Sequence, residues 1–374
     1  VTRVLFYVQH LLGIGHLARA SLIADALHAQ GAEVTMVTGG EPVPGLPGKH
    51  VRIIQLPSLR AGPEGFSQLV DADGKPADAA YRSERTSRLL AALEDVCPDV
   101  LLIEAFPFGR RQMRFELLPL LDAASARRPK PLIACSVRDV LQHRAMKRHR
   151  ETVDVINRYF DRVLVHGDPD FITLEETFPL ADAIAGKLSY TGIVSAAPGA
   201  LAGPAYEVIV SAGGGVAAAH MMNCALEART RTSLAAASWC FLVGPNHHAE
   251  SAKALAAAAG HGIHVEPVRP DFRALLQRAR LSISQAGYNT VADILRAGCR
   301  SVLVPFAQGG ESEQTLRAGK LQALGRVGVV AENDLTAQAL AAVIDEVIDM
   351  PAPAQIGSID TGGAECSASI LLAG

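Results

Sequence analysis

Short apolar runs, each followed by a stretch of helical periodicity, constrain this chain more than any other feature. Residues 3–9 read Arg-Val-Leu-Phe-Tyr-Val-Gln. A run without alternation suits a strand buried on both faces, as in a parallel sheet. After it, Leu17, Ala20, Ile23, Ala24 and Leu27 recur at helical spacing, and Gly31 ends the pattern. Residues 32–40 form the next strand, which makes a β-α-β unit with a right-handed crossover. The same alternation returns with strands at 98–104, 131–141 and 161–169, then at 208–211, 238–246, 281–284 and 300–306. The expected class is α/β with parallel sheets.

The chain has 374 residues. At roughly 100–200 residues per domain, that suggests two domains. Residues 190–207 are rich in Gly, Pro and Ala and lack periodicity, as a boundary does. The expected division is 1–192, a linker at 193–205, a second domain at 206–350, and a final segment, 351–374, that returns to the first domain. Residues 55–80, rich in Gly, Pro and Asp, read as a long functional or mobile loop before a helix at about 81–96.

A net charge of −3 gives no general attraction to nucleic acid or to an anionic membrane. The six cysteines lack metal-ligand spacing, so reduced core thiols are expected, with neither a zinc site nor a disulfide framework. There is no leader-like segment and no apolar run of membrane-spanning length, so a cytoplasmic location is the expectation. Arg144, Lys147, Arg148 and Arg150, with His143 and His149, read as a solvated helix face. Peripheral contact with a membrane surface, or phosphate binding, is the less common use of such a run.

Gly13-Ile14-Gly15-His16-Leu17-Ala18 formally fits a dinucleotide-binding turn. The second strand, however, ends Thr38-Gly39-Gly40 and lacks the acid that would hold a ribose. A second use of the turn puts His16 at a helix N-terminus on the carboxyl edge of the sheet, where ligands of open α/β folds bind. The helix dipole there favours neutral imidazole, hence a base. Glu104 ends the strand 98–104 on the same edge and is placed to orient His16; Asp139 ends another strand and is a further candidate partner. Arg110 and Arg111 lie just past that edge and suit an anionic group.

In the second half, a strand ends in Gly213-Gly214-Gly215 before a helix, an arrangement that favours an anion such as a diphosphate. At Gly287-Tyr288-Asn289-Thr290 the chain turns into another helix, with Asn289 or Thr290 expected as its cap and Gly298 as its end. Asp293, one turn on, could accept from a vicinal diol. Glu313 and Gln314 follow a Gly-rich loop and offer hydroxyl acceptors and a donor.

The segment Ser284–Ala318 is similar to the donor-binding segment of GT-B glycosyltransferases of family 28, and the match extends over about 206–345. The resemblance implies two Rossmann-like domains with parallel sheets facing across a cleft, and a nucleotide-sugar donor held by the second. It further implies that Asp293 holds the ribose diol and that Gly213–Gly215 and Gly287–Thr290 line the diphosphate. Glu313 and Gln314 would then contact the sugar, and the backbone near Val268 the base. Ser284 and Ala286 fall within the same segment, and Gly15 and His16 within the N-terminal turn on the acceptor side. The activity so implied is inverting, metal-independent transfer of a sugar, in particular from a UDP-sugar such as UDP-GlcNAc, with no cofactor. The acceptor is left open, and an anionic or lipid-linked one is compatible with the arginines. A nucleotide-sugar hydrolase of the same build and a non-catalytic nucleotide-sugar-binding regulator are the alternatives.

Overall fold

The computed structural model describes residues 1–11, 13–62, 65–212, 216–244, 253, 255–258, 260–308, 311–351, 353 and 359–373. It forms two compact units, Val1–Ser195 with Asp360–Gly374, and Ala196–Ile359.

In the first unit the elements run β1 (Arg3–Val8), α1 (Gly15–Ala29), β2 (Glu33–Thr38), β3 (Arg52–Gln55), β4 (Arg60–Gly62), β5 (Gly65–Val70), α2 (Ala79–Val96), β6 (Val100–Glu104), α3 (Arg114–Ala126), β7 (Leu132–Arg138), α4 (Met146–Tyr159), β8 (Arg162–His166) and β9 (Leu188–Tyr190). The sheet order is β3-β2-β1-β6-β7-β8-β9. Every neighbouring pair is parallel. The continuous apolar run of β1 is explained by burial on both faces. Leu5 and Tyr7 enter one core with Leu89 and Leu93 of α2 and Leu117 and Leu120 of α3. Val4, Phe6 and Val8 enter the other, with Leu17, Ile23 and Leu27 of α1. Asp78 caps α2, its Oδ1 accepting from Tyr81 N–H at 2.8 Å.

The stretch expected as an irregular loop at 55–80 contains the antiparallel hairpin β4-β5. Two short strands let this long connection pair part of its own backbone, which an irregular loop would leave to water.

The second unit runs β10 (Val208–Ser211), α5 (Val216–Arg229), β11 (Trp239–Val243), β12 (Ile263–Pro267), α6 (Phe272–Arg278), β13 (Leu281–Ser284), α7 (Tyr288–Ala297), β14 (Ser301–Leu303), α8 (Glu313–Ala323), β15 (Gly328–Val329) and α9 (Ala337–Asp349). Its sheet, β12-β11-β10-β13-β14-β15, is also parallel throughout. Val208 and Val210 face one core and Ile209 the other. The closing helix, α10 (Gly363–Leu372), belongs to the first unit, where Ala364, Ala368 and Leu371 join the core under α1.

Both sheets reverse their strand order once, between β1 and β6 and between β10 and β13. Ligands of open α/β sheets bind in the crevice at the carboxyl ends of the strands at such a switch point. Two regions are thereby singled out: His10, Leu11 and Gly13–His16 with the residues after Glu104, and Ala212 with Gln285–Thr290.

Candidate active site

At the switch point of the first unit, β6 delivers Glu104 and α1 delivers His16. His16 Nδ1 lies 2.8 Å from Glu104 Oε1. The carboxylate is wholly buried, whereas the imidazole keeps 19% of its surface exposed. Arg19, one helical turn on from His16, pairs with the same Oε1. Ser136 of β7 donates its hydroxyl to Glu104 Oε2 at 2.6 Å. With three donors on it, Glu104 is held well below the ordinary carboxylate range despite a burial that acts the other way; Arg19 is the largest of the opposing causes. An ionised carboxylate only accepts, so His16 Nδ1 carries the proton and Nε2 has the lone pair.

His16 and the buried His166 of β8 are both held down to about 3. Burial is the main cause; Arg110 adds to it at His16 and Arg19 at His166. The unfolded chain takes up these protons near pH 6.5, the folded chain only near pH 3. Between those values the unfolded state binds more protons, so stability rises with pH and is lost on acidification. The thermal midpoint is expected to fall steadily from about pH 7 to about pH 4.5. A flat midpoint across that range would show that these histidines are not buried in the neutral form.

Around this centre, Arg110 has left-handed backbone at φ 57° and donates from Nε to the Gln9 carbonyl at 2.7 Å. Burial, then the neighbouring Arg138, lowers its pKa to about 10. Arg111 instead forms an exposed ion pair with Glu151 of α4. Asp139 is buried beyond the end of β7; its Oδ1 accepts from Val140 N–H at 2.8 Å, and a Cβ on Gly167 would fall 2.8 Å from the Asp139 Cβ. Its charge acts on His166 of β8, two strands over from Glu104. Gly15 begins α1. Thr38-Gly39-Gly40 also has a steric reason: a Cβ would fall 2.0 Å from Gln9 Oε1 at Gly39 and 2.4 Å from the His10 ring at Gly40. Lys147, Arg148 and Arg150 of α4 are exposed, as is Arg144 just before it, while His149 is buried edge-on against Phe178.

In the second unit, Ser284 ends β13 with its Oγ buried and without a hydrogen-bond partner among the described residues. Helix α7 begins at Tyr288 with Gly287 as its N-cap and no side-chain cap. Asn289 and Thr290 therefore lie inside the helix, correcting the expected capping: the extended Gly287 caps it instead, two residues before Asn289. Gly298, at φ 65°, ends the helix as expected. Asp293 is mostly buried and accepts from Arg273 Nε of α6 at 2.6 Å. Burial raises its pKa, against the pull of Arg273. Gln314 uses its Oε1 within the fold, accepting from Ala286 N–H at 3.1 Å and Phe306 N–H at 3.0 Å. It thus ties the loop after β13 to the loop after β14. Buried Arg317 donates to the Ala286 carbonyl at 3.1 Å and lies 5.6 Å from the centre of the Tyr288 ring. Glu313 is buried at the start of α8. Val268 is 54% exposed, just past β12. Gly213, Gly214 and Gly215 lie outside the described residues.

Sequence reasoning missed Arg19, Ser136, His166, Arg273 and Arg317. Arg19 had a signal, since residues three apart share a helix face. The others join through strand neighbours or through helices distant in sequence, which leave no local pattern. Among the described residues, no group of three or more His, Cys, Asp or Glu side chains is arranged to hold a metal ion, and no helix is long and apolar enough to cross a membrane.

Residues 208–358 match the glycosyltransferase family 28 C-terminal domain. The chain is 35% identical over 97 residues to the UDP-N-acetylglucosamine–N-acetylmuramyl-(pentapeptide) pyrophosphoryl-undecaprenol N-acetylglucosamine transferase of Rhodospirillum centenum, covering 26% of each chain. It is 31% identical over 122 residues to the same-named enzyme of Xylella fastidiosa, covering 31% of this chain and 33% of that one. The matched stretch thus spans between a quarter and a third of the length of these relatives. In fold, the chain is similar to MurG of Acinetobacter baumannii, with a TM-score of 0.64 at 16% identity over 100% of both chains. It is also similar to the calicheamicin glycosyltransferase CalG4, with a TM-score of 0.61 at 15% identity over 100% of this chain and 94% of that one.

Proposed function

We propose that this chain, whose residues 208–358 match the glycosyltransferase family 28 C-terminal domain and whose fold is similar to that of GT-B glycosyltransferases, transfers a sugar from a nucleotide diphosphate to an acceptor hydroxyl. The observation that carries this reading is the His16–Glu104 pair at the β1/β6 switch point. A neutral, partly exposed imidazole, oriented by a buried carboxylate on Nδ1 and with its lone pair on Nε2, is the equipment of a general base. The donor is a UDP-sugar such as UDP-GlcNAc, in keeping with the names of the sequence relatives.

In this reading His16 Nε2 takes the proton of the acceptor hydroxyl as its oxygen bonds to the sugar C1 and the bond to the diphosphate breaks. Attack opposite the leaving group inverts the anomeric centre. Backbone N–H groups and the N-terminus of α7 hold the charge that develops on the diphosphate, with no metal required. The buried Ser284 Oγ supports a polar ligand on that edge, since such a hydroxyl is normally partnered. Asp293 keeps Oδ2 for the ribose while Arg273 fixes Oδ1. Gln314 shapes the two loops through Oε1, which leaves its Nε2 for the sugar. Arg110, on the acceptor side, suits an anionic or lipid-linked acceptor; peripheral membrane contact through the exposed face of α4 belongs to the same proposal.

The test is thermal denaturation with UDP-, GDP-, dTDP- and CMP-sugars. A ligand bound only by the folded state stabilises it as RT ln(1 + [L]/Kd). A UDP-sugar should raise the midpoint and the others should not, and Asp293→Ala should cut the affinity about tenfold or more by removing a charge-assisted hydrogen bond. No shift with any nucleotide sugar would sink the donor assignment. Rapid, stoichiometric release of free sugar without acceptor would mark a hydrolase instead.

A further inference from the structure

Glu104 is held on both carboxylate oxygens by side chains that continue into a buried chain of hydrogen bonds. His16 Nδ1, at 2.8 Å, and Arg19 share Oε1; Ser136 Oγ binds Oε2 at 2.6 Å. Ser136 Oγ lies 2.7 Å from His166 Nε2, and His166 Nδ1 lies 2.9 Å from Thr191 Oγ1. The proton positions follow from chemistry. The ionised carboxylate only accepts, so Ser136 donates to it. The Ser136 oxygen then accepts from His166 Nε2–H, and neutral His166 accepts at Nδ1 from the Thr191 hydroxyl. Every donor on this path is directed toward Glu104.

The last torsion of a glutamate is soft and roughly two-fold, so packing on one oxygen alone would not fix its plane. Here separate elements fix the two oxygens: α1 through Arg19 and β7 through Ser136, itself backed by β8 through His166. The charged and titratable groups around the pair are Arg19 from α1 and Arg110 after β6, with Cys135 of β7 and His166 of β8 both acted on by Glu104; Arg138 and Asp139, at the end of β7, act on Arg110 and His166 respectively. We propose that Arg19, Ser136 and His166 are positioning residues that hold the Glu104 carboxylate in one orientation and so keep the His16 proton on Nδ1. The consequence for turnover rests on the reading of His16 as the base; the tautomer itself does not.

The experiment is nitrogen-15 NMR of histidine-labelled protein without substrate, joined to turnover and donor-affinity measurements. The His16 signals of the unaltered protein should report the Nδ1–H tautomer from about pH 6 to about pH 8. Ser136→Ala should give a mixture of tautomers and a turnover lower by roughly ten- to a hundredfold, the range for losing a hydrogen bond to a charged group, with donor affinity unchanged. Ser136→Thr, which keeps the hydroxyl, should restore both, and Arg19→Lys should retain the tautomer. An unchanged tautomer in Ser136→Ala overturns the proposal. So does an Nε2–H tautomer in the unaltered protein, which decides the matter even if the variant does not fold. Absence of sugar transfer with the tautomer behaviour intact would refute the function and leave the positioning claim standing.

Discussion

His16→Ala should lower turnover by ~10²–10⁴ while affinity for the nucleotide sugar is unchanged. The two halves of this expectation come from different parts of the chain. The proposed base is carried by α1 in the first unit, whereas the stretch that matches the family 28 C-terminal domain, with Ser284, Gly287 and Asp293, lies in the second. Removing the imidazole removes the proton acceptor and leaves Glu104 ionised, still paired with Arg19 and Ser136. The surrounding fold therefore keeps its charge balance. Calorimetric titration with a UDP-sugar beside steady-state rates would check the split. A loss of donor binding would mean that His16 holds the donor, and a loss of less than tenfold in rate would mean that it is not the base.

The second large effect concerns stability. Glu116→Ala should cost the first unit ~3–5 kcal/mol, the range for breaking a buried ion pair by removing one partner. Arg85 of α2 and Glu116 of α3 have no exposed side-chain surface and form a two-point pair, Nε to Oε2 at 2.9 Å and Nη2 to Oε1 at 2.7 Å. Tyr7 of β1 donates its hydroxyl to the same Oε1 at 2.5 Å, and Arg85 also reaches Gln9 Oε1 at 2.9 Å and the Gly39 carbonyl at 3.1 Å. The truncation strands the guanidinium in the core. A contrast sits on the same helix: Arg88 and Glu84 pair at 2.6 Å with both side chains about half exposed, and Glu84→Ala should cost at most ~0.5 kcal/mol. Denaturant midpoints for the two variants make the comparison. If Glu116→Ala shifts the midpoint no more than Glu84→Ala, the network contributes nothing to the fold. Replacing Arg85 and Glu116 together by apolar residues of similar volume should recover most of the loss.

The parallel sheets could be read from the chain because their cause is local. Val4 to Val8 are apolar on both faces since α1 covers one and α2 and α3 cover the other. Strand ends then place residues on the carboxyl edge, which brought forward His16 and Glu104 without coordinates. The β4-β5 hairpin was not legible, because pairing within 60–70 depends on backbone partners that composition does not reveal. Arg111 resembled Arg110 in sequence, yet one faces Glu151 in solvent and the other turns inward to Gln9. The left-handed backbone at Arg110 separates them, and it leaves no mark in residue type.

By itself, then, the sequence determined the α/β class with its parallel sheets, and it put forward residue types suited to base chemistry and sugar-nucleotide contact as candidates. These follow from periodicity and backbone demands spanning a few residues. Only the tertiary structure decided which groups share the Glu104 carboxylate, that Gln314 spends one oxygen joining two loops, and that Arg273 stands on Asp293. Such pairings join residues 8 to 88 positions apart. They are set by sheet order and helix packing, and a burial that removes water is what gives each of them its strength.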